Sequence, residues 1–174
     1  MQKLLLPLLA LLLLFAACNP QKKLARQQHK YLKKTYNVLK ETLNKAEVSM
    51  LNDTVKVLFP EHLLFALNSA EITPEVRPLM NRFATALNRF HKTKILINGH
   101  TDNTGTKEYN LQISKSRSNA AKSMLESEGV SESRMMTWGL GMAAPIADNN
   151  SEAGRRRNRR VEFIILYNIA QPKK

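Results

Sequence analysis

Asp102, Asn110, Ser114 and Arg117 are residues whose types and spacing could do chemistry together in this 174-residue chain. Asp102 stands in the run NGHTDNTGT at 98–106, straight after the apolar, β-branched Thr93-Lys94-Ile95-Leu96-Ile97. That pattern predicts a short buried strand giving way to a loop. Asn103, Thr104 and Gly105 are turn formers, and Gly105 is free to take positive φ. Asn110 and Arg117 lie nearly two helical turns apart in the segment that follows, with Ser114 between them on one face. Helical side chains lean toward the N-terminus, so Arg117, about 10 Å along the axis from Asn110 at ~1.5 Å per residue, reaches back toward the loop. A carboxylate and a guanidinium facing one pocket fit a zwitterion: the acid takes an ammonium and the guanidinium grips a carboxylate with its fork. On that reading the fold is expected to leave the two charges unpaired. The same spacing also fits an ion pair between Asp102 and Arg117 that merely ties loop to helix, and spacing does not choose between the two.

The flanking segments supply the scaffold. TVKVLF at 54–59 alternates as a half-buried strand, and LLFAL at 63–67 resumes strand character after Pro60-Glu61-His62. Pro74 starts a helix with Thr73 as its N-cap, and Val76, Met80, Phe83, Leu87 and Phe90 recur at helical steps to make one apolar face. The strand at 93–99 comes next, then the loop, then a helix from Glu108 to Glu128 ended by Gly129. RMMTWGLG is a further short strand, Ser151 and Glu152 open a short helical piece, and RVEFIIL is the last strand. This order predicts an α/β fold of the α+β sandwich kind, β-α-β-α-β-β, with one mixed sheet and helices packed on it. Ligands of open α/β sheets sit beyond the carboxyl ends of strands, which is where Asp102 falls.

Ahead of this domain, Lys3, an apolar run from Leu4 to Phe15 and the small Ala16-Ala17 read as an export signal over residues 1–17. Cys18 is the only cysteine, so no intramolecular disulfide forms in an oxidising compartment. LFAAC resembles the lipobox of bacterial lipoproteins, which implies acylation of Cys18; Asn19 after it fits outer-membrane sorting in that pattern. Residues 22–50 hold no Gly or Pro and read as a basic helix, and Ala25, His29, Leu32, Tyr36, Leu39, Leu43, Ala46 and Met50 follow a weak coiled-coil spacing. The expected organisation is a signal peptide over 1–17, an acylated N-terminus and helical spacer over 18–52, and the domain over 53–174.

FALNSAEITP, INGHTDNTGTKEYNLQISKSRS and GLGMAAPIADNNSEAGRRRNRRVEF together resemble the OmpA-like peptidoglycan-binding domain shared by outer-membrane OmpA proteins, the peptidoglycan-associated lipoprotein and MotB. The resemblance runs over about 53–168. It implies noncovalent capture of the peptidoglycan stem peptide at the free amino-acid centre of meso-diaminopimelate, with Asp102 taking the ammonium and Arg117 the carboxylate. It further implies hydrogen bonds from Thr101, Asn110 and Asn68, with Arg160 flanking the site. The implied partners are peptidoglycan, the outer membrane through acyl chains on Cys18, and other envelope proteins.

The chain carries 27 Lys and Arg against 14 Asp and Glu. Without residues 1–17, which lose only Lys3, the formal balance is +12. That excess points to polyanions, and export turns the expectation from nucleic acid to anionic lipid and wall polymer. Arg155-Arg156-Arg157 and Arg159-Arg160 have no interleaved aromatic platform for bases. His100 and Asp102 lack a third metal ligand nearby, and Ser69 and Ser114 have no placed base. No metal, cofactor or catalytic activity is expected. The rival reading is a docking subunit of an envelope complex in which wall binding is secondary.

Overall fold

Alternation along the strands decides which side of the sheet is dry. The structure, a computed structural model, describes residues 20–66 and 68–168. The expected signal peptide and Cys18 lie outside the described residues. Strands β1 (Glu47–Leu51), β2 (Thr54–Pro60), β3 (Thr93–His100), β4 (Met135–Gly141) and β5 (Arg160–Tyr167) form one mixed sheet in the order β1-β2-β5-β3-β4. Only β3 and β4 run parallel; the other pairings are antiparallel. Val55, Val57 and Phe59, Ile95 and Ile97, and Val161, Phe163 and Ile165 occupy alternate positions and are buried on one face.

Helices α1 (Pro20–Thr42), α2 (Glu61–Leu64), α3 (Arg77–Arg89), α4 (Lys107–Ser127) and α5 (Glu152–Asn158) accompany the sheet. Leu79, Met80, Phe83 and Leu87 of α3 enter the core. Phe59, Phe83 and Phe163 meet there with ring centroids 5.0–5.7 Å apart, each such pair adding about 0.5–1.5 kcal/mol beyond its area. The mixed sheet with packed helices matches the sequence expectation. α4 ends as its composition predicts: Gly129 sits at φ +84, and the amides of Gly129 and Val130 donate to the carbonyls of Glu126 and Leu125, the paired closure that a left-handed residue allows.

Three local expectations change. The helix expected over 22–50 stops at Thr42, and 47–51 becomes edge strand β1, whose Val48 and Met50 turn toward the core. The stripe read as a coiled-coil seam is spent on the chain's own core, where Leu32, Leu39 and Leu43 are buried. The helix is thus fastened to the sheet, and only its first two turns, 20–27, are exposed all round. The strand expected over LLFAL does not form in its described part, 63–66: Glu61–Leu64 makes one helical turn, and Phe65 makes only an isolated bridge to Ile72. The turn lets the adjacent Leu64 and Phe65 both reach the interior, which a strand buried on one side does not. Thr73 makes no side-chain cap, because a 3-10 turn, Pro74–Val76, precedes α3.

α4 lies directly on the backbone of β3 and β4. A Cβ at Gly99 would stand 2.0 Å from the Ser114 carbonyl oxygen, and one at Gly139 2.5 Å from the Lys115 nitrogen. Both clashes are with main chain, which cannot step aside without moving the helix. Gly99→Ala is expected to lower unfolding stability by about 3 kcal/mol, the upper end of ordinary overpacking, in urea titrations. An unchanged midpoint would show that α4 can lift off the sheet freely.

Candidate ligand-binding site

The end of β3 delivers Thr101 and Asp102 into a buried corner, each 6% exposed. The Thr101 amide donates to the Gly141 carbonyl at 3.0 Å, tying the corner to the end of β4. Asp102 Oδ1 accepts from the Thr104 amide at 2.8 Å, and Asn110 Nδ2 donates to the Thr104 carbonyl at 2.9 Å. The polar run after the strand thus folds into a small self-bonded turn at the N-terminus of α4, which Thr106 caps by accepting from the Tyr109 amide. Further along α4, Arg117 is 5% exposed. Its Nε donates to the Ser69 carbonyl at 2.9 Å, and its guanidinium carbon lies 5.6 Å from the centroid of the Phe65 ring.

These groups open onto one cleft of about 810 Å³. Asn68, Thr101, Asp102, Asn110 and Arg117 all line it. Arg160 does not. It is 2% exposed, bonded to Glu162 Oε1 at 2.9 Å and to the carbonyls of Asn158 and Ala144 at 3.0 Å each. Arg159 lines the cleft instead. The parity of β5 explains the exchange, since Val161, Phe163 and Ile165 face the helices while Arg160 shares the opposite side with Glu162. The signal was present in RRVEFIIL at 159–166, where the period of two places Arg159 with the inward set.

Asp102 and Arg117 are not left unpaired, and they do not pair with each other. Asp102 Oδ2 accepts from Arg159 Nη1 at 2.5 Å, Arg159 Nε lies 3.0 Å from Glu61 Oε2, and Glu61 Oε1 pairs with Arg117 Nη2. The four charges alternate in sign along one string, and Arg159 Nη2 adds Glu152 at 2.9 Å. Burial works against the charge on Asp102, but the hydrogen bonds from Arg159 and Thr104 outweigh it and hold the carboxyl below its usual range. Burial also pulls Arg117 below the ordinary arginine value, opposed by Glu61. An arginine stays charged all the same, so this buried guanidinium requires an anion at all times. Glu61 and Arg159 escaped the sequence reading because one looked like part of a turn and the other like one of five clustered arginines.

Behind the cleft, on the other side of the sheet, His100 lies 3.8 Å from Glu162 beside Arg160 and Lys56. Burial and then the nearby Arg160 push its pKa down to about 4, with Glu162 opposing. The folded state therefore refuses a proton that the unfolded chain accepts. Above pH ~6.5 the residue is neutral in both states and contributes nothing; as pH falls toward 4, stability drops by about 3 kcal/mol. Glu162 and Asp102, both held low, add to the loss below the ordinary carboxylate range. Urea midpoints for His100→Gln are expected to stay flatter between those two pH values than for the parent chain.

Residues 64–159 match the OmpA family, and the chain belongs to that family. It is 34% identical over 118 residues to the probable lipoprotein YiaD of Escherichia coli (strain K12), covering 68% of this chain and 54% of that protein. The chain therefore spans about half the length of that relative. Among solved structures, a putative MotB-like protein from Desulfovibrio vulgaris superposes with a TM-score of 0.76 at 23% identity, over 86% of this chain and 99% of that one. The cell wall anchor of the T6SS from Pseudomonas aeruginosa superposes with a TM-score of 0.68 at 30% identity, over 78% of this chain and 96% of the other. Among the described residues no helix is long and apolar enough to cross a membrane, and no group of three His, Cys, Asp or Glu side chains could hold a metal ion.

Proposed function

We propose that this chain binds peptidoglycan noncovalently, at the amino-acid centre that ends the side chain of meso-diaminopimelate in a stem peptide. A lipid-carrying Cys18 joins that contact to the outer membrane. The observation that carries the reading is that Asp102 and Arg117 line one cleft without bonding to each other. Membership of the OmpA family and likeness to a structure described as a cell wall anchor support it.

Binding on this reading is an exchange of partners. The ligand ammonium takes the Arg159 place at Asp102, the ligand carboxylate takes the Glu61 place at Arg117, and the two displaced groups stay with each other at their present 3.0 Å. No buried charge is stranded at any stage. Each new charged hydrogen bond is worth about 1.5–3 kcal/mol, but two internal ones are surrendered, so the pocket alone holds its ligand at micromolar strength or weaker. Attachment at the membrane makes the second contact effectively intramolecular and the link durable. The groups bind and orient; none is arranged as nucleophile and base, and the function is attachment rather than turnover.

Calorimetry with diaminopimelate-containing and lysine-containing muropeptides tests the proposal. Heat with the first and none with the second is expected, since only diaminopimelate presents both charges at its tip. Equal binding to both, or to neither, rejects the assigned ligand. The rival docking role draws on Met136 and Trp138 of edge strand β4, which are 61% and 55% exposed. Deleting residues 19–50 would not separate the two readings, because α1 is part of the core; Trp138→Lys leaves wall binding intact while removing a docked protein.

A further inference from the structure

The basic residues of α1 are not scattered. Lys22, Lys23, Arg26, Lys30, Lys33 and Lys34 are all exposed, and at about 100° per residue they fall inside an arc of roughly 120°. Leu32, Thr35 and Leu39, the buried residues of the helix, occupy the opposite side. The cations therefore form a ridge roughly 18 Å long at ~1.5 Å per residue; from Lys30 onward it is held outward because the other face is part of the domain core, and its first turns, 20–27, run on beyond that contact. Lys40 continues it. Solvated helix faces ordinarily mix signs at spacings of three and four, and such pairs help the helix. Here Glu41 is the only acid in α1, and Lys22/Arg26, Arg26/Lys30 and Lys30/Lys34 set like charges four apart, an arrangement that opposes helix formation. Among the described residues the ion pairs nearest this helix involve His29, not the ridge; Lys33 instead lies 4.9 Å from the centroid of the Tyr36 ring.

From these positions we infer that the ridge is a docking surface for the phosphate-rich face of an anionic bilayer. Charge selects a polyanion, and chain position selects the membrane among polyanions. Cys18, the residue proposed to carry lipid, stands only four residues before Lys22, a reach of at most about 14 Å even fully extended. Whatever holds that end of the chain at a membrane holds the ridge at the headgroups, where each Lys or Arg adds attraction that salt screens. The inference rests on the proposed membrane attachment but not on the cleft. Its consequence is that the domain lies close against the bilayer instead of standing off on a free helical arm.

Flotation of the chain from Asn19 onward, which contains every described element, tests this without an acyl group. Vesicles of phosphatidylcholine alone are compared with vesicles holding roughly 30% phosphatidylglycerol at ~50 and ~200 mM salt. Binding only to the anionic vesicles is expected, weaker at the higher salt. Lys23→Gln, Lys30→Gln and Lys34→Gln together should lower it roughly a hundredfold, about fivefold per lysine. All three residues are exposed, so the thermal midpoint should not fall and muropeptide calorimetry on the same sample should not change. Equal binding to neutral vesicles, or a triple variant that floats like the parent, overturns the inference. So does a ridge-dependent retention on sacculi with no vesicle binding. Loss of muropeptide heat with vesicle binding intact would instead count against the cleft.

Discussion

Asp102→Ala is expected to weaken muropeptide binding by about 2–4 kcal/mol, a factor of roughly thirty to a thousand. The substitution removes the group proposed to take the ammonium, to which Arg159 Nη1 now bonds. Arg159 keeps Glu61 and Glu152, but with one carboxylate fewer in the string its positive charge opposes an incoming ammonium. Arg117→Ala should lose a comparable amount from the other end of the ligand. Its effects extend to the fold, since Arg117 also ties α4 to the Ser69 carbonyl and packs on Phe65. The two substitutions combined should cost less than their sum, because each alone already opens the string of alternating charges. Calorimetry on single and double variants measures this, and an Asp102→Ala protein that binds like the parent removes the acid from the site.

Glu61→Gln is expected to act in the opposite direction on binding. Glu61 occupies Arg117 in the free protein and bridges it to Arg159, so a ligand carboxylate must displace it. Gln keeps the shape and one acceptor but removes the competing charge, and affinity should rise by about tenfold, ~1.4 kcal/mol. The free protein suffers for it. Arg117 is left buried without a counter-ion, which costs about 3 kcal/mol of unfolding stability at the lower end of what broken buried pairs show. Ligand should restore much of that loss through mass action, so the thermal midpoint of the variant rises more steeply with muropeptide than that of the parent. Weaker binding would mean that Glu61 itself holds the ammonium.

The proposed exchange also explains why the cleft carries nearly balanced charge. Glu61, Asp102 and Glu152 line it together with Arg117, Arg155, Arg156 and Arg159. A net-neutral zwitterion enters such a string at little electrostatic cost, whereas a simple anion or cation leaves one member without a partner.

Much of the scaffold was legible from residue order because its signals are local. Alternation in TVKVLF and RVEFIIL marks β2 and β5, the stripe from Val76 to Phe90 marks α3, and Gly129 marks the end of α4, each needing only neighbours in sequence to be read. The placing of Asp102 at a strand end and of Asn110 and Arg117 on one helical face is of the same kind. What hydrophobic spacing left undetermined was the surface each stripe would cover. Leu32, Leu39 and Leu43 fit a partner helix as well as a sheet, because burial free energy is nondirectional and rewards any dry surface. Charge pairing was still less accessible. Glu61, Asp102, Arg117 and Arg159 come from four separate stretches of chain, and Coulomb attraction depends on distances that only packing sets. The Gly99 contact with Ser114 lowers α4 onto β3, and pairing of Pro60 with Arg160 brings Glu61 to Arg159. Those two contacts between distant segments turn four scattered charges into one string.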